Sequence, residues 1–334
     1  MATICVTGGV GFLGRMVIEK LLKDSHVVIG GNNMMLNRVI VIDRTIPEKL
    51  FLDTRVDVFE GDLRELLRVQ PELMSSADAV IHLASAVSGE CEANLDLGLN
   101  ANLLTGIELG RILADADAPP VLVFASSLAI YGASDNDRLP DFISDDVRPT
   151  PQNSYGAQKL MLETLFADLS RKGLIRARTL RLMTVSVRPG KPNNAASSFL
   201  SGIIREPLLG LPAVVPVDPS LEVALNSPLA AVNGLLHALA SSDQDWGSPL
   251  GVNLPGIRLT VREMVEALRI IGGEEALDCL AYEPNPQVQQ IVSRWPANFH
   301  SQRAYDIGFS KDQPFVETIR EFSKSLLPNV VGVP

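Results

Sequence analysis

Short apolar runs alternate with longer segments of helical periodicity through the first half of the chain. In the first such segment, residues 12–23, apolar side chains recur every three or four positions, as on one face of a helix. The runs between the helical segments are continuously apolar and rich in β-branched residues, which predicts strands covered on both faces. The predicted strands cover residues 3–6, 39–42, 56–59, 79–83 and 121–124, and one lies within 177–187.

Strands that alternate with helices indicate a parallel sheet with helices on both of its faces. We therefore predict an α/β fold, in which a doubly wound parallel (Rossmann) sheet over residues 1–185 is followed by a smaller C-terminal substrate lobe. Beyond residue 186 the alternation ends, and prolines and glycines become frequent. The lobe is predicted to comprise residues 186–228 and 257–334, with 229–256 returning to the main sheet.

Composition and charge exclude several classes of protein. The 334 residues are 46% hydrophobic and 20% charged, which allows a large core and excludes global disorder. A net charge of −10 argues against nucleic-acid binding. The three cysteines lack the spacing of a metal site or a disulfide framework, and neither a membrane-length apolar run nor a signal-peptide pattern is present. We expect a cytoplasmic protein without a metal, a nucleic-acid partner or a membrane span.

A glycine-rich turn follows the first predicted strand and opens the first helix. Its sequence is TGGVGFLG, with glycines at positions 8, 11 and 14. Glycines at this spacing allow a tight turn and let backbone N–H groups approach a pyrophosphate at the helix N-terminus. A tight turn without a ligand is the alternative, but the order of strand, glycines and helix favours dinucleotide binding.

Asp43 ends the second predicted strand. A carboxylate there accepts hydrogen bonds from an adenosine ribose and repels a 2′-phosphate, which favours NAD over NADP. Two features argue against this interpretation. Residues 30–37 lengthen the interval between Gly8 and Asp43, and the neighbouring Arg44 could bind a 2′-phosphate. Asp43 could also be a simple strand-end cap. NAD remains the predicted cofactor.

Tyr155 and Lys159 stand four residues apart, which places both on one helical face. A phenol with a pKa near 10 becomes a base at neutral pH only if its phenolate gains about 4 kcal/mol of preferential stabilisation. We expect the Lys159 ammonium and a positively charged nicotinamide to provide this stabilisation of the phenolate. This spacing alone is common, but Ser126 and Ser127 follow the fifth predicted strand. We expect Ser127 to bind a substrate oxygen opposite Tyr155, and Ser126 to cap a loop.

Several segments in this order resemble the extended short-chain dehydrogenase/reductase (NAD-dependent epimerase/dehydratase) family. They are TGGVGFLG, Asp43, GDL at 61–63, HLAS at 82–85, SSLAIYG at 126–132 and YGAQK at 155–159. The resemblance implies a catalytic triad of Ser127, Tyr155 and Lys159, with Tyr155 as general base, and it makes His82 a strand residue. The implied NAD contacts are Gly8, Gly11, Phe12, Leu13, Gly14, Asp43, Asp62, Leu63, Ala84, Ser85, Asn102, Tyr155 and Lys159.

Two features narrow the activity within this family. Its dehydratases carry an Asp-Glu pair directly after the catalytic hydroxyl, whereas Leu128 and Ala129 follow Ser127 here, so dehydration is not expected. Between residues 171 and 205 there are eight basic residues and no acidic one, which suggests an anionic ligand. The alternative is a solvated basic strand. Arg188 and Lys191 are the favoured partners of a carboxylate or phosphate.

A narrower resemblance covers nearly the full chain and concerns family members that oxidise four-carbon sugar acids. It is carried by segments at 87–90, 186–193, 195–199, 202–207, 252–256 and 291–296, with Met183 where proline is expected. It implies NAD-dependent oxidation of an acid such as D-erythronate at C2 to the 2-oxo acid. The implied substrate-binding residues are Ser88, Ser127, Arg188, Lys191, Asn193 and Ser198.

Other functions stay open at this point. A nucleotide-sugar epimerase would use the same triad, and so would a dehydrogenase of threonate or a uronate. A non-catalytic NAD sensor could dispense with Tyr155 and Lys159. The family also implies a homodimer paired through the helical stretches near 91–116 and 152–171. The sequence leaves open whether residues 133–151 form a lid.

Overall fold

The computed structural model describes residues 1–47, 51–136, 138–192 and 195–326. It confirms the predicted fold class, because a parallel sheet carries helices on both faces and a smaller lobe follows it. The strands are β1 (Ala2–Thr7), β2 (His26–Ile29), β3 (Asn32–Asp43), β4 (Val56–Glu60), β5 (Ala79–His82), β6 (Val121–Ser127), β7 (Arg176–Leu182), β8 (Thr184–Val185), β9 (Ala213–Val215), β10 (Glu222–Asn226), β11 (Val252–Asn253), β12 (Ile257–Thr260) and β13 (Leu280–Tyr282).

Helices connect most of these strands. They are α1 (Phe12–Leu21), α2 (Leu63–Val69), α3 (Glu72–Ser75), α4 (Ser88–Ala93), α5 (Leu95–Gly98), α6 (Thr105–Ala114), α7 (Ser154–Arg171), α8 (Phe199–Leu208), α9 (Pro228–Ala240), α10 (Asp243–Trp246), α11 (Val261–Leu277), α12 (Pro286–Val292), α13 (Gln302–Ile307) and α14 (Phe315–Leu326). A π-helical turn, Leu99–Leu104, joins α5 to α6. In the described part of the chain, no helix is both long and apolar enough to cross a bilayer.

The main sheet has the order β11-β7-β6-β5-β1-β3-β2, with β4 also paired to β3. All of these pairings are parallel except that of β2 with β3. The chain runs outward from β1 in both directions, through β3 on one side and β5 on the other. Ligands bind at such a reversal, beyond the carboxyl ends of the strands.

A hairpin lengthens the edge of this sheet and accounts for the extra residues before Asp43. Gly30 and Gly31 have φ values of +54° and +86°, which suit a two-residue hairpin turn between β2 and β3. Their N–H groups donate to the carbonyls of Leu239 and Ala240, both at 2.8 Å, so the turn is anchored to the end of α9. The predicted strand at 39–42 is therefore the second half of a longer strand.

Two apolar layers cover the faces of the main sheet. One contains alternate strand residues such as Ile4 and Val41, together with side chains of α1 and α9. The other contains the intervening residues, such as Cys5 and Ile40, together with side chains of α6 and α7. Burial on both faces explains why these strands are continuously apolar rather than alternating.

The C-terminal lobe has its own core and its own small sheets. Apolar side chains of α8, α11 and α14 form that core. Strand β8 leaves the main sheet and pairs with β10, which pairs antiparallel with β12. In contrast, β11 pairs with β7, and α9 packs on β6 and β7. The domain boundaries given above stay a prediction, although residues 228–253 lie with the main sheet.

Candidate active site

A cavity of about 450 Å³ opens at the carboxyl ends of β1, β3, β5 and β6, beside the reversal of strand order. Most of the predicted site residues line it. They are Gly8, Gly11, Phe12, Leu13, Gly14, Asp43, Asp62, Leu63, Ala84, Ser85, Ser88, Ser127, Tyr155, Lys159, Arg188, Lys191 and Ser198. The predicted residue Asn193 lies outside the described residues.

The glycine turn forms one end of this cavity, and two of its glycines are required by geometry. Gly8 has a φ of +69°, and a Cβ there would lie 2.8 Å from the backbone nitrogen of Ala84. A Cβ on Gly14 would lie 2.3 Å from the carbonyl oxygen of Gly8, so this glycine lets α1 approach the turn. Gly11 is the N-cap of α1 and lacks a side-chain cap. The turn therefore fits a pyrophosphate in contact with backbone N–H groups at a helix N-terminus.

Two acidic residues stand at the neighbouring strand ends. The Asp43 carboxylate accepts hydrogen bonds from the N–H groups of Val10 (3.0 Å) and Arg44 (2.8 Å). Asp43 is thus a strand-end cap that also faces the cavity, so the two interpretations of this residue are compatible. Asp62 caps α2 by accepting from the N–H of Arg64 at 3.0 Å.

Tyr155 and Lys159 are positioned by the start of α7. The helix begins at Ser154 because the Asn153 side chain accepts a hydrogen bond from the N–H of Gly156 at 2.8 Å. This places Tyr155 in the first turn. The Lys159 ammonium donates to the carbonyl oxygen of Ala125 at 2.9 Å and lies 5.4 Å from the centre of the Tyr155 ring.

The protein environment alone leaves Tyr155 neutral. Burial raises the pKa of Tyr155 to about 12, whereas hydrogen bonding to Ser127 and Ser85 and the charge of Arg188 act in the opposite direction. Burial also lowers the pKa of Lys159 to about 8. A further positive charge at the site is therefore needed before the phenolate forms near neutral pH, and an oxidised nicotinamide carries one.

The two serines that end β6 have different partners. Ser127 caps the following 3₁₀ turn by accepting from the N–H of Ala129 at 3.1 Å, while it also faces Tyr155. The expectation that Ser126 caps the loop is wrong, because its hydroxyl binds the buried Glu163 carboxylate. Arg181 donates to the same carboxylate at 2.8 Å. Successive residues of a strand point to opposite faces, which separates the two hydroxyls.

Asn102 lies behind the wall of the cavity rather than in it. Its side-chain oxygen accepts from the Ser85 hydroxyl (3.0 Å) and the N–H of Ala86 (2.8 Å), and its nitrogen donates to Gln158 at 2.8 Å. This buried amide therefore ties the loop after β5 to α7. It supports residues that line the cavity but does not line it as a cofactor ligand would.

The opposite end of the cavity is basic. Arg188 is half-buried, and its N–H donates to the Ser201 hydroxyl at 3.0 Å. Arg205 donates to the carbonyl oxygen of Arg188 at 2.8 Å and pairs with Glu206 at 2.5 Å. Burial, followed by the charge of Arg205, lowers the pKa of Arg188, whereas Tyr155 raises it. Lys191 is exposed at the rim.

Ser201, Arg205 and Trp295 also line the cavity, although they were not among the predicted site residues. Arg205 belongs to the basic stretch that the charge pattern indicated, so that signal was present. Trp295 belongs to a segment that carries the narrower resemblance, but no charge or spacing marked it as a site residue, and the same holds for Ser201 outside those segments. They reach the cavity only because the C-terminal lobe folds over the strand ends.

His82 takes the structural role expected of a strand residue. It is buried, and its Nδ1 is 2.7 Å from the Thr7 hydroxyl oxygen. Burial lowers the pKa of His82 to about 3, so the imidazole stays neutral.

The chain matches the model of the NAD dependent epimerase/dehydratase family over residues 4–222. The chain belongs to this family. It is 40% identical to a D-erythronate dehydrogenase of Cupriavidus necator over 96% of this chain and 97% of that protein. It is 37% identical to a D-erythronate dehydrogenase of Haemophilus influenzae, over 96% and 98%.

A solved structure is similar over almost the full length. The nucleoside-diphosphate-sugar epimerase of Agrobacterium tumefaciens is 34% identical, with a TM-score of 0.87 over 98% of this chain and 94% of that chain. The family model and these relatives confirm the predicted family, and the family model confirms the NAD cofactor. The two full-length relatives are named dehydrogenases, which confirms the prediction of an NAD-dependent oxidoreductase.

Proposed function

We propose that this protein oxidises a four-carbon sugar acid, D-erythronate, at C2 to the 2-oxo acid with NAD. The observation that carries the proposal is that the half-buried Arg188 lines the same cavity as Ser127 and Tyr155. A carboxylate bound by Arg188 would place the adjacent C2 hydroxyl beside the catalytic tyrosine. The two dehydrogenase relatives support the choice of acid.

In this mechanism the residues of the chain hold the alcohol and move its proton. Ser127 donates a hydrogen bond to the C2 oxygen, and Tyr155, as phenolate, removes the proton of that hydroxyl. Lys159 binds the nicotinamide ribose, and its ammonium stabilises the phenolate. When bound, NAD supplies the acceptor of the C2 hydride. Loss of one proton and one hydride balances the oxidation of the alcohol to a ketone.

The proposed cofactor site follows the geometry of the cavity. Gly8, Gly11 and Gly14 hold the pyrophosphate through the turn that they form, with Phe12 and Leu13 at the start of α1. The remaining proposed contacts lie at the strand ends: Asp43 with the adenosine ribose, Asp62 and Leu63 beside the adenine, and Ala84 and Ser85 on the path to the nicotinamide. Asn102 acts indirectly, through its hydrogen bonds to Ser85 and Ala86.

The proposed substrate contacts lie at the basic end. Arg188 binds the carboxylate, and Ser88 and Ser198 bind hydroxyl groups. Lys191, at the exposed rim, attracts the anion without fixing its orientation. The contact with Asn193 stays a prediction from the sequence.

The experiment is NADH formation by the purified protein with NAD and a panel of D-erythronate, L-threonate and uronates. We expect turnover on D-erythronate, and loss of at least about 10³-fold in kcat in Tyr155→Phe, with the Kd for NAD unchanged. Turnover on a different acid would revise the substrate alone. Inactivity on every acid, together with binding of UDP-sugars, would contradict the dehydrogenase proposal and favour an epimerase, the activity named for the 34% identical structure.

We further propose a cytoplasmic homodimer paired through the surface of α5, the following π-helical turn, α6 and α7. Leu97, Leu104 and Met161 on these elements are apolar and between 37% and 45% exposed. Exposed apolar side chains on adjacent helices favour association.

A further inference from the structure

Trp295, which the sequence did not single out, lies at the substrate end of the cavity. It lines the cavity together with Leu128 and Met183, and it packs against the apolar cluster to which both belong. Leu128 directly follows the catalytic Ser127, and Met183 directly follows β7. This position puts an apolar surface next to the hydroxyl that would hold the substrate oxygen.

Two loop segments hold Trp295 in place. The N–H of Ala133 donates to the carbonyl oxygen of Arg294 at 2.9 Å. Ile143 exchanges backbone hydrogen bonds with Asn298 and His300, both at 2.9 Å. Ala133 and Ile143 are therefore paired through the backbone with the segment that carries Trp295. These contacts brace the segment that forms this part of the cavity wall.

Met183 is equally fixed. Its side chain is only 3% exposed, and a Cβ on Gly256 would lie 2.7 Å from the Met183 Cγ. Proline is expected at position 183, and the glycine at position 256 makes room for the larger methionine side chain that stands there instead. Because the surroundings are closely packed, Met183 and Trp295 cannot move to admit a larger ligand without a loss of packing energy.

We infer that Leu128, Met183 and Trp295 form an end wall that limits the length of the substrate. The inference rests on the proposed function. With the carboxylate on Arg188 and the C2 oxygen between Ser127 and Tyr155, the remaining carbons extend toward this wall. Leu128 and Met183 offer no strong hydrogen-bonding group to a further hydroxyl, and Trp295 offers a single donor, its indole N–H. A longer sugar acid would therefore clash with the wall or bury a hydroxyl whose hydrogen finds no acceptor there.

The test compares four-, five- and six-carbon sugar acids of the same C2 and C3 configuration. The wild-type enzyme is expected to prefer the four-carbon acid. In Trp295→Ala, the ratio of kcat/KM for the five-carbon acid to that for the four-carbon acid should rise at least about tenfold, the scale of one methylene in an apolar pocket. The Kd for NAD, measured by calorimetry, should stay unchanged. Trp295→Phe should give an intermediate ratio if the alanine variant is poorly folded.

Phe299→Ala is the matched control, because Phe299 packs on the same apolar cluster but does not line the cavity. It removes an aromatic ring from the brace and leaves the wall itself in place. An unchanged length preference in both Trp295 variants would overturn the inference, and so would an equal change in Phe299→Ala. These outcomes leave the proposed oxidation intact, whereas a wild-type enzyme inactive on every acid would overturn both.

Discussion

Arg188 and Lys191 are equivalent in the sequence, but the structure separates them. Arg188 is half-buried and acts electrostatically on Tyr155, whereas Lys191 is exposed at the rim. A hydrogen bond to a charged group contributes about 1.5–3 kcal/mol, which corresponds to roughly 10- to 150-fold. We therefore expect Arg188→Ala to lower kcat/KM for the acid by that factor and Lys191→Ala to lower it less than about threefold.

Initial-rate kinetics at fixed saturating NAD measure this difference. The loss should fall mainly on KM, because the carboxylate contact is present in the ground state and the transition state alike. Equal effects of the two substitutions, or no effect of either, would contradict the assignment of the carboxylate to Arg188.

Burial of Lys159 predicts a dependence of stability on pH. Its pKa is lowered from 10.5 to about 8 in the folded protein, so the unfolded chain binds more protons between these two values. Stability rises with pH wherever the unfolded state binds more protons. The charged lysine therefore costs stability below pH 8, and this cost falls as the pH rises toward 10.5.

We expect the free energy of unfolding of the wild type, relative to Lys159→Met, to increase by about 2 kcal/mol between pH 7 and 9.5. Urea denaturation at both pH values measures it. Lys172→Met, which removes an exposed ammonium instead of a buried one, is the control and should show no comparable change. The same pH dependence for wild type and Lys159→Met would show that Lys159 is not desolvated.

At the scale of elements, the start of α7 depends on a close approach to the turn after β6. A Cβ on Gly156 would lie 2.0 Å from the carbonyl oxygen of Ala129. We expect Gly156→Ala to lower the free energy of unfolding by about 1–3 kcal/mol, the usual cost of overpacking. It should also lower kcat more than about tenfold, because the helix that carries Tyr155 and Lys159 must shift.

Gly202→Ala is the control for this helix substitution. The new Cβ on α8 would meet its nearest neighbour, the Glu206 side chain, at 3.5 Å, which is an ordinary contact. Alanine is the better helix former by up to about 1 kcal/mol, so this variant should be neutral or more stable. Thermal unfolding and steady-state kinetics measure the stability and the kcat of both variants. Equal changes in stability and kcat in the two variants would contradict the argument that Gly156 is needed for the close approach of α7.

The strands of the main sheet were predictable at this scale, but the hairpin was not. The apolar runs at 3–6, 39–42 and 121–124 are buried on both faces, which gives an unambiguous pattern. Strand β2 and the first half of β3 form an edge with mixed polar and apolar residues. Their pairing depends on the Gly30-Gly31 turn and its anchorage to α9, which is more than two hundred residues away in the chain.

At the scale of the whole molecule, the proposed dimer gives a further prediction. Met161→Glu and Leu104→Glu place charges on exposed apolar positions of the proposed interface. A buried unpaired carboxylate is costly, so both variants should sediment as monomers at concentrations at which the wild type is a dimer. Leu250→Glu, on an exposed leucine outside these helices, should stay dimeric. A monomeric wild type in sedimentation velocity would contradict the proposed dimer.

The sequence by itself determined the sheet, the glycine turn and the residue types of the reaction. These features are local: a buried strand needs apolar runs, Gly8 and Gly14 satisfy one turn, and a helix brings Tyr155 and Lys159 to one face. Most of the predicted site residues therefore line one cavity.

Only the tertiary structure decided what lies across that cavity. It turned Ser126 away toward Glu163, withdrew Asn102 behind the wall and brought Arg205 and Trp295 to the substrate end. Arg205 and Trp295 reach the cavity because the C-terminal lobe packs on the carboxyl ends of the strands. The partners of Ser126 and Asn102, Glu163 and Gln158, lie on a helix that packs against the main sheet. Tertiary contacts of both kinds leave no spacing pattern in the sequence.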